Sequence, residues 1–251
     1  HINNIKNLMN NAVEKRLMSD RNICCLLSGG LDSTIVTALV SKHFKDYELN
    51  TYSIGMKGSV DLKYSKIAAE YLKTNHTILE LTPSDFLEAI EDTIYQIESY
   101  DVTTVRASIG NYLISRFIRD NSRDKVVFCG DVSDEIFGSY KGFHYAPNDT
   151  LFYEENINML KNINYFDVLR SDKSISGAGL EARVPFSDKY LIKYVMNMNS
   201  KHKTFKNRME KYIIRKSFED ILPKELVWRV KTAFSDGVSS EENPSYKIIQ
   251  D

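Results

Sequence analysis

The stretch Ile23–Ala38, ICCLLSGGLDSTIVTA, constrains the fold more than any other part of the chain. Ile23, Cys24, Cys25, Leu26 and Leu27 form a continuous apolar run, the pattern of a central strand covered on both faces. Ser28, Gly29 and Gly30 break that run in a tight turn, where glycine reaches backbone angles closed to other residues. Asp32 and Ser33 stand where a helix begins, and Ile35, Val36, Ala38, Leu39 and Val40 supply its apolar content. A glycine turn feeding a helix N-terminus presents unpaired N–H groups and a positive dipole end. Those groups suit a phosphate, and Asp32 beside them suits Mg²⁺.

No lysine follows the glycines, so this is not the phosphate loop that ends in Gly-Lys-Ser/Thr. SGGLDS is instead similar to the pyrophosphate-binding loop of the ATP pyrophosphatases, which split ATP into AMP and pyrophosphate.

The rest of the chain alternates. Ile2, Ile5, Leu8, Met9, Ala12, Val13 and Leu17 repeat at helical spacing. NTYSIGM at Asn50–Met56, HTILEL at His76–Leu81 and KVVFC at Lys125–Cys129 read as short strands. Helical stretches lie between them at 61–72, 86–97 and 109–118. Short apolar strands separated by helices imply β-α-β units and a parallel twisted sheet with helices on both faces, an α/β fold. In such sheets ligands bind beyond the carboxyl ends of the strands. Three loops are expected to converge there: 28–33, 55–61 and 130–135.

The third of these, GDVSDE, carries Asp131, Asp134 and Glu135 within five residues. Three carboxylates at one strand exit repel one another unless a cation or a bound base shares the site. The plainer reading is a helix start, where acidic residues suit the dipole. Beyond about Tyr145 the pattern turns mostly helical, with one helix expected over 156–169 and another over 190–198. The basic stretch Lys201–Arg208 has little apolar content and reads as a flexible loop able to close over a nucleotide.

Charge excludes some functions. Lysine plus arginine number 33 against 34 aspartate plus glutamate, a net charge of -1, which argues against a general nucleic-acid or membrane-surface role. No uncharged apolar run approaches the ~20 residues of a membrane helix. The three cysteines, Cys24, Cys25 and Cys129, have no metal-ligand spacing and read as reduced core residues of a cytoplasmic protein.

Taken together, several strings resemble the synthetase domain of glutamine-hydrolysing asparagine synthetases. They are LLSGGLDS at Leu26–Ser33, YDVTTVRAS at Tyr100–Ser108, GDVSDEIFGSY at Gly130–Tyr140, GLEARVPF at Gly179–Phe186, MEKYIIRKSFED at Met209–Asp220 and FSDGV at Phe234–Val238. They run in the family's order along nearly the whole chain. The resemblance implies one synthetase domain, with a nucleotide-binding α/β core over about 20–145 and a helical half over 146–251. It implies that the β-carboxylate of aspartate attacks the α-phosphorus of Mg²⁺-ATP, giving β-aspartyl-AMP and pyrophosphate, after which ammonia displaces AMP.

By the same resemblance, Leu27, Ile54, Cys129 and Gly130 contact the nucleotide, and Ser28, Gly29, Gly30 and Ser33 cradle the pyrophosphate. Asp32 and Asp134 take Mg²⁺. Arg106 and Lys211 steady the charge that builds on the phosphates, and Asp131 is the base that relieves ammonia of its proton. Asp61 and Asp167 are further substrate-site positions. Arg183 either faces the substrate carboxylate or braces Glu181 and Asp188.

Two positions depart from the family, which usually has serine before the glycine of the third loop and glycine after its acidic residue. Here these are Cys129 and Val132. A β-branched residue is costly there if the backbone needs a positive φ. An adenylating ligase for another carboxylate, like the β-lactam synthetases, and a nucleotide-binding module without catalysis are the alternative readings. The nitrogen source is expected to be a glutaminase domain preceding His1 in a longer chain, or a separate subunit. A homodimer is the assembly carried forward as an expectation.

Overall fold

The computed structural model describes residues 1–165, 167–204 and 208–230. Five strands form one parallel sheet: β1 (Asn22–Leu26), β2 (Asn50–Met56), β3 (Asn75–Leu81), β4 (Asp124–Phe128) and β5 (Glu181–Arg183). Their order is β3-β2-β1-β4-β5. The chain therefore builds outward from β1 in one direction, then crosses back to place β4 on the other side. The switch point lies between β1 and β4, where side chains and backbone leave a crevice beyond the strand ends.

The helices are α1 (Ile2–Glu14), α2 (Leu31–Ser41), α3 (Val60–Leu72), α4 (Pro83–Ile97), α5 (Val102–Asn121), α6 (Ser133–Phe137), α7 (Asp149–Lys161), α8 (Asp167–Gly177), α9 (Lys189–Met196), α10 (Tyr212–Phe218) and α11 (Lys224–Val227). They cover both faces of the sheet, as expected. Alternation along the strands decides which face each apolar residue serves. Cys25, Val126 and Phe128 pack with α1, α2, α9 and α10 through Met9, Ile35, Leu191 and Ile214. Cys24, Tyr52, Ile54 and Val127 turn the other way, onto Phe86 and Ile97 of α4, Ile109 of α5 and Ile175 of α8.

Several boundaries differ from the sequence reading. The expected helix over 156–169 is instead α7, a 3-10 turn at Ile163–Tyr165 and a new helix, α8. α5 starts at Val102, capped by the Asp101 carboxylate on the Thr104 N–H, so the whole VTTVRAS string is helical. β5 is a three-residue strand supplied by the second half of the chain, and it extends the sheet next to β4. In the basic stretch, Ser200–His202 forms a 3-10 turn and Lys203 is 2% exposed, donating to Asn156 Oδ1 at 2.5 Å. Its start is thus anchored; residues 205–207 of that expected loop, and the FSDGV string, lie outside the described residues.

All three cysteines are buried free thiols, and burial pushes Cys25 up to about 12. Among the described residues, no helix is long and apolar enough to cross a membrane.

Candidate active site

The first loop leaves β1 at Leu27, whose N–H still donates to the Tyr52 carbonyl at 2.8 Å. Ser28 Oγ then faces Ser33 Oγ at 3.0 Å and accepts from the Gly30 N–H at 3.2 Å, closing the turn on itself. Gly29 sits at φ +72°, and a Cβ there would lie 2.3 Å from the Tyr64 carbonyl carbon and 2.4 Å from Ser65 N of α3. Only glycine meets both demands. Gly30 caps α2 with no side chain bonded across the helix start, so the first-turn amides face outward with the dipole behind them.

The third loop is pressed against the first. A Cβ on Gly130 would lie 2.7 Å from Ser33 N and 2.9 Å from the Asp32 carbonyl carbon. Ser133 Oγ, at the start of α6, donates to Asp32 Oδ1 at 2.7 Å. Lys211 is contributed by the other half of the chain, at the N-cap of α10 with φ +57°. Its Nζ lies 2.5 Å from Asp32 Oδ2 and 2.8 Å from Asp134 Oδ1, and the residue is 2% exposed. Burial alone would depress the ammonium; the two carboxylates outweigh it and hold its pKa above the ordinary value. Asp134 is also the acceptor for Ser139 Oγ.

Three sequence-distant elements thus place Asp32, Asp134 and Lys211 at the β1/β4 switch point. Two carboxylates facing one positive charge are a donor set that fits Mg²⁺, which takes one or two carboxylates and completes its shell with phosphate oxygens and water.

The acidic cluster of the third loop does not act as one group. Asp131 accepts from Ser171 Oγ of α8 at 2.7 Å, Asp134 faces Lys211, and buried Glu135 accepts from Tyr140 OH at 2.7 Å. Each carboxylate has its own partner. Among the described residues, no three His, Cys, Asp or Glu side chains gather as a metal site. Val132, between them, is buried at φ +75°, the strained angle the sequence raised as a cost. Cys129 is 3% exposed, and burial raises its thiol well above the usual range.

Other expected residues are placed less simply. The side chains of Leu27 and Ile54 lie on opposite faces of the sheet, Leu27 on Ala68, Ala69 and Leu226, Ile54 with the α4 and α5 layer. They cannot form one side-chain pocket; what the two strand ends offer jointly is backbone. Arg106 is half-buried in the second turn of α5. α5 passes into β4 over two residues, so in a parallel sheet its first turns lie toward the carboxyl ends of the strands.

Arg183 resolves the choice left open by the sequence. Its Nε donates to Glu181 Oε1 at 2.7 Å and its Nη1 to the Met18 carbonyl at 2.8 Å, locking β5 to the end of α1. Asp188 is held instead by Lys15 and Arg16. Asp61 is 5% exposed and ion-paired with Arg229 Nη2 at 2.5 Å, so it is not open to a substrate amine. Burial raises its pKa above the usual carboxylate range in spite of that partner. Asp167 opens α8, and its side chain lies outside the described residues.

Ser133, Ser139 and Ser171 were missed by the sequence reading. Ser133 and Ser139 lie inside GDVSDEIFGSY and were legible there as hydroxyls near the carboxylates. Ser171 had no signal, because α8 meets the third loop only through the fold.

A parallel α/β sheet with a glycine turn, two cation-facing carboxylates and a helix N-terminus at its switch point defines a nucleotide-binding α/β protein. The particular family follows from comparison. The asparagine synthase family model matches residues 4–156 and 146–250, and the chain belongs to that family. It is 44% identical over 255 residues to the glutamine-hydrolysing asparagine synthetase of Mus musculus and 43% identical to that of Homo sapiens, in each case over 99% of this chain and 46% of the relative. The chain therefore spans about half the length of the curated relatives it matches. Among solved structures, it is similar to an NH3-dependent NAD synthetase from Campylobacter jejuni, at 15% identity and TM-score 0.41 over 89% of this chain and 98% of that one. An NMN synthetase from Francisella tularensis gives 14% identity and TM-score 0.39 over 78% and 93%.

Proposed function

We propose that this chain is the synthetase part of an asparagine synthetase, a cytoplasmic ligase that activates aspartate with ATP and passes the acyl group to ammonia. The convergence of Asp32, Asp134 and Lys211 beside the SGGLDS turn carries this reading.

The triphosphate lies on the turn, with Ser28, Gly29, Gly30 and Ser33 and the open amides of α2 as donors. Backbone at Leu27, Ile54, Cys129 and Gly130 meets the nucleoside and α-phosphate side. Asp32 and Asp134 would hold Mg²⁺, which when bound neutralises charge on the phosphate oxygens. The β-carboxylate oxygen of aspartate forms a bond to the α-phosphorus while the bond to the bridging oxygen breaks, and pyrophosphate leaves with the electron pair. Lys211 and Arg106 stabilise negative charge growing on the α-phosphate and the leaving group. Ammonia then adds to the acyl carbon of β-aspartyl-AMP. Asp131, aimed by Ser171, accepts the proton released as the C–N bond forms, and AMP departs. Asp167 remains the candidate for the amino-acid substrate, because Asp61 and Arg183 are engaged elsewhere. The ammonia comes from a glutaminase domain of a longer chain or from a separate subunit.

Measuring pyrophosphate and asparagine with Mg²⁺-ATP, aspartate and ammonium tests the reading, with glutamine replacing ammonium in parallel. Asparagine from ammonium is expected; pyrophosphate release that ignores aspartate overturns it. Asp131→Asn is expected to keep aspartate-dependent ATP–pyrophosphate exchange while asparagine formation falls ~10²-fold or more. Equal loss of both would remove Asp131 from the second step.

A further inference from the structure

Arg229 is a buried guanidinium whose donors are not all used. It is 9% exposed, its Nη2 is paired with Asp61 at 2.5 Å, and its Nη1 is buried with no hydrogen-bond partner among the described residues. A buried N–H of a charged group is rarely left without an acceptor, so an acceptor is missing from this site.

Its surroundings place it beside the phosphate turn. Asp61 and Tyr64 stand in the first turns of α3, directly after the carboxyl end of β2. The guanidinium sits 4.4 Å from the Tyr64 ring centroid. The backbone of Tyr64 and Ser65 is the surface on which Gly29 of the phosphate turn rests. Arg229 and the turn therefore both pack on Tyr64 of α3. The guanidinium is also held in place: the buried Arg215 donates from Nη1 to the Arg229 carbonyl at 3.0 Å, the Asp61 carboxylate fixes one side of the fork, and the ring fixes its plane. Such fixing is what a pre-organised anion site requires.

Charge supplies the chemistry. SGGLDS contains no cation, and Lys211 already faces Asp32 and Asp134. A triphosphate on this turn carries more negative charge than Lys211 and Arg106, the two cationic side chains already assigned to it, can balance. We propose that Arg229 binds the β- and γ-phosphate end of ATP, and the pyrophosphate it becomes, through Nη1, with Asp61 and Tyr64 as positioning residues. This rests on the nucleotide reading above and adds to it a phosphate contact from a segment remote in sequence from the turn.

Calorimetric titration with Mg²⁺ present tests it, using pyrophosphate, a non-hydrolysable ATP analogue and AMP as ligands. Arg229→Gln is expected to weaken pyrophosphate and the ATP analogue ~10–100-fold, the size of a lost charge-assisted hydrogen bond, and to change AMP less than ~2-fold. Arg229→Lys, which keeps the charge and loses the fork, is expected to fall between. Should Arg229→Gln fail to fold, Tyr64→Leu leaves the ion pair in place and removes the ring that aims it, and the same ligand-selective weakening is expected at smaller size. Unchanged pyrophosphate binding, or equal loss for AMP and ATP, overturns the proposal. A wild-type chain that binds ATP analogue and AMP but not pyrophosphate overturns it as well, whereas failure to bind any of the three sinks the nucleotide reading itself.

Discussion

Val132 holds a conformation that its side chain opposes. A β-branched residue at φ +75° costs roughly 1–3 kcal/mol, and it persists because the side chain is buried in the main core and the loop around it is fixed at both ends. Gly130 is pressed on α2 before it, and Ser133 is bonded to Asp32 after it. Removing the side chain therefore loses burial and relieves strain together. Val132→Gly is expected to destabilise the chain less than Val127→Gly in β4, where only burial is lost, and urea unfolding of the two variants measures the difference. Lys203 is the other costly residue. Its Nζ donates to the Asn156 amide, lies 3.8 Å from Met196 Sδ and sits over the Phe152 ring, none of them a counter-charge, and burial lowers its pKa from 10.5 to about 8. The unfolded chain then binds more protons than the folded one between those values, so stability rises with pH across that window. Relative to Lys203→Met, the wild type is expected to gain up to about 3 kcal/mol between pH 8 and 10.5. A parallel pH dependence in both proteins would remove Lys203 as the cause.

Elements show where periodicity suffices and where it does not. β2 matches its expected span because seven buried or half-buried residues end at a glycine-containing loop. The expected helix over 156–169 combines the end of α7 and the start of α8, because apolar residues kept helical spacing across a turn. β5 carried no strand signal at all: three residues become a strand because β4 offers them an unpaired edge. Between β2, β3 and α3, His76 is clasped by three hydroxyls, with Nδ1 2.9 Å from Thr51 Oγ1 and Nε2 3.1 Å from Ser53 Oγ and 3.3 Å from Ser65 Oγ. Burial lowers it from 6.5 to about 4. Folding thus prefers the neutral ring, and stability is expected to fall as pH drops through that window. His76→Gln should flatten the decline; acid unfolding curves that superimpose would exclude His76 as its source.

The whole molecule does not divide where its composition does. The pattern turns helical near Tyr145, yet α1 packs on α9 and α10, and one apolar cluster contains Met9, Ile35, Phe128, Phe186, Leu191 and Ile214. Lys211 reaches from the second half into the first to neutralise Asp32 and Asp134. Urea unfolding followed by tryptophan fluorescence at Trp228 and by far-ultraviolet dichroism is expected to give one coincident transition, and residues 1–145 alone are expected not to fold. Two separated transitions would show independent halves.

Local chemistry was enough for the strands β1 to β4, the glycine turn and the presence of carboxylates at the third loop, since each depends on residues within a few positions of one another. Resemblance of ordered strings extended this to the expectation that Asp32, Asp134 and Lys211 serve one site, and the three side chains do meet. What sequence could not supply is which donor each side chain meets. Asp131 finds Ser171, Arg183 turns to α1, and Asp61 is taken by Arg229, over separations of 40, about 165 and 168 residues. Those pairings were decided by the sheet order and by the closing of one core over both halves. A buried charge accepts whichever partner the packing brings within reach, and no local pattern records that choice.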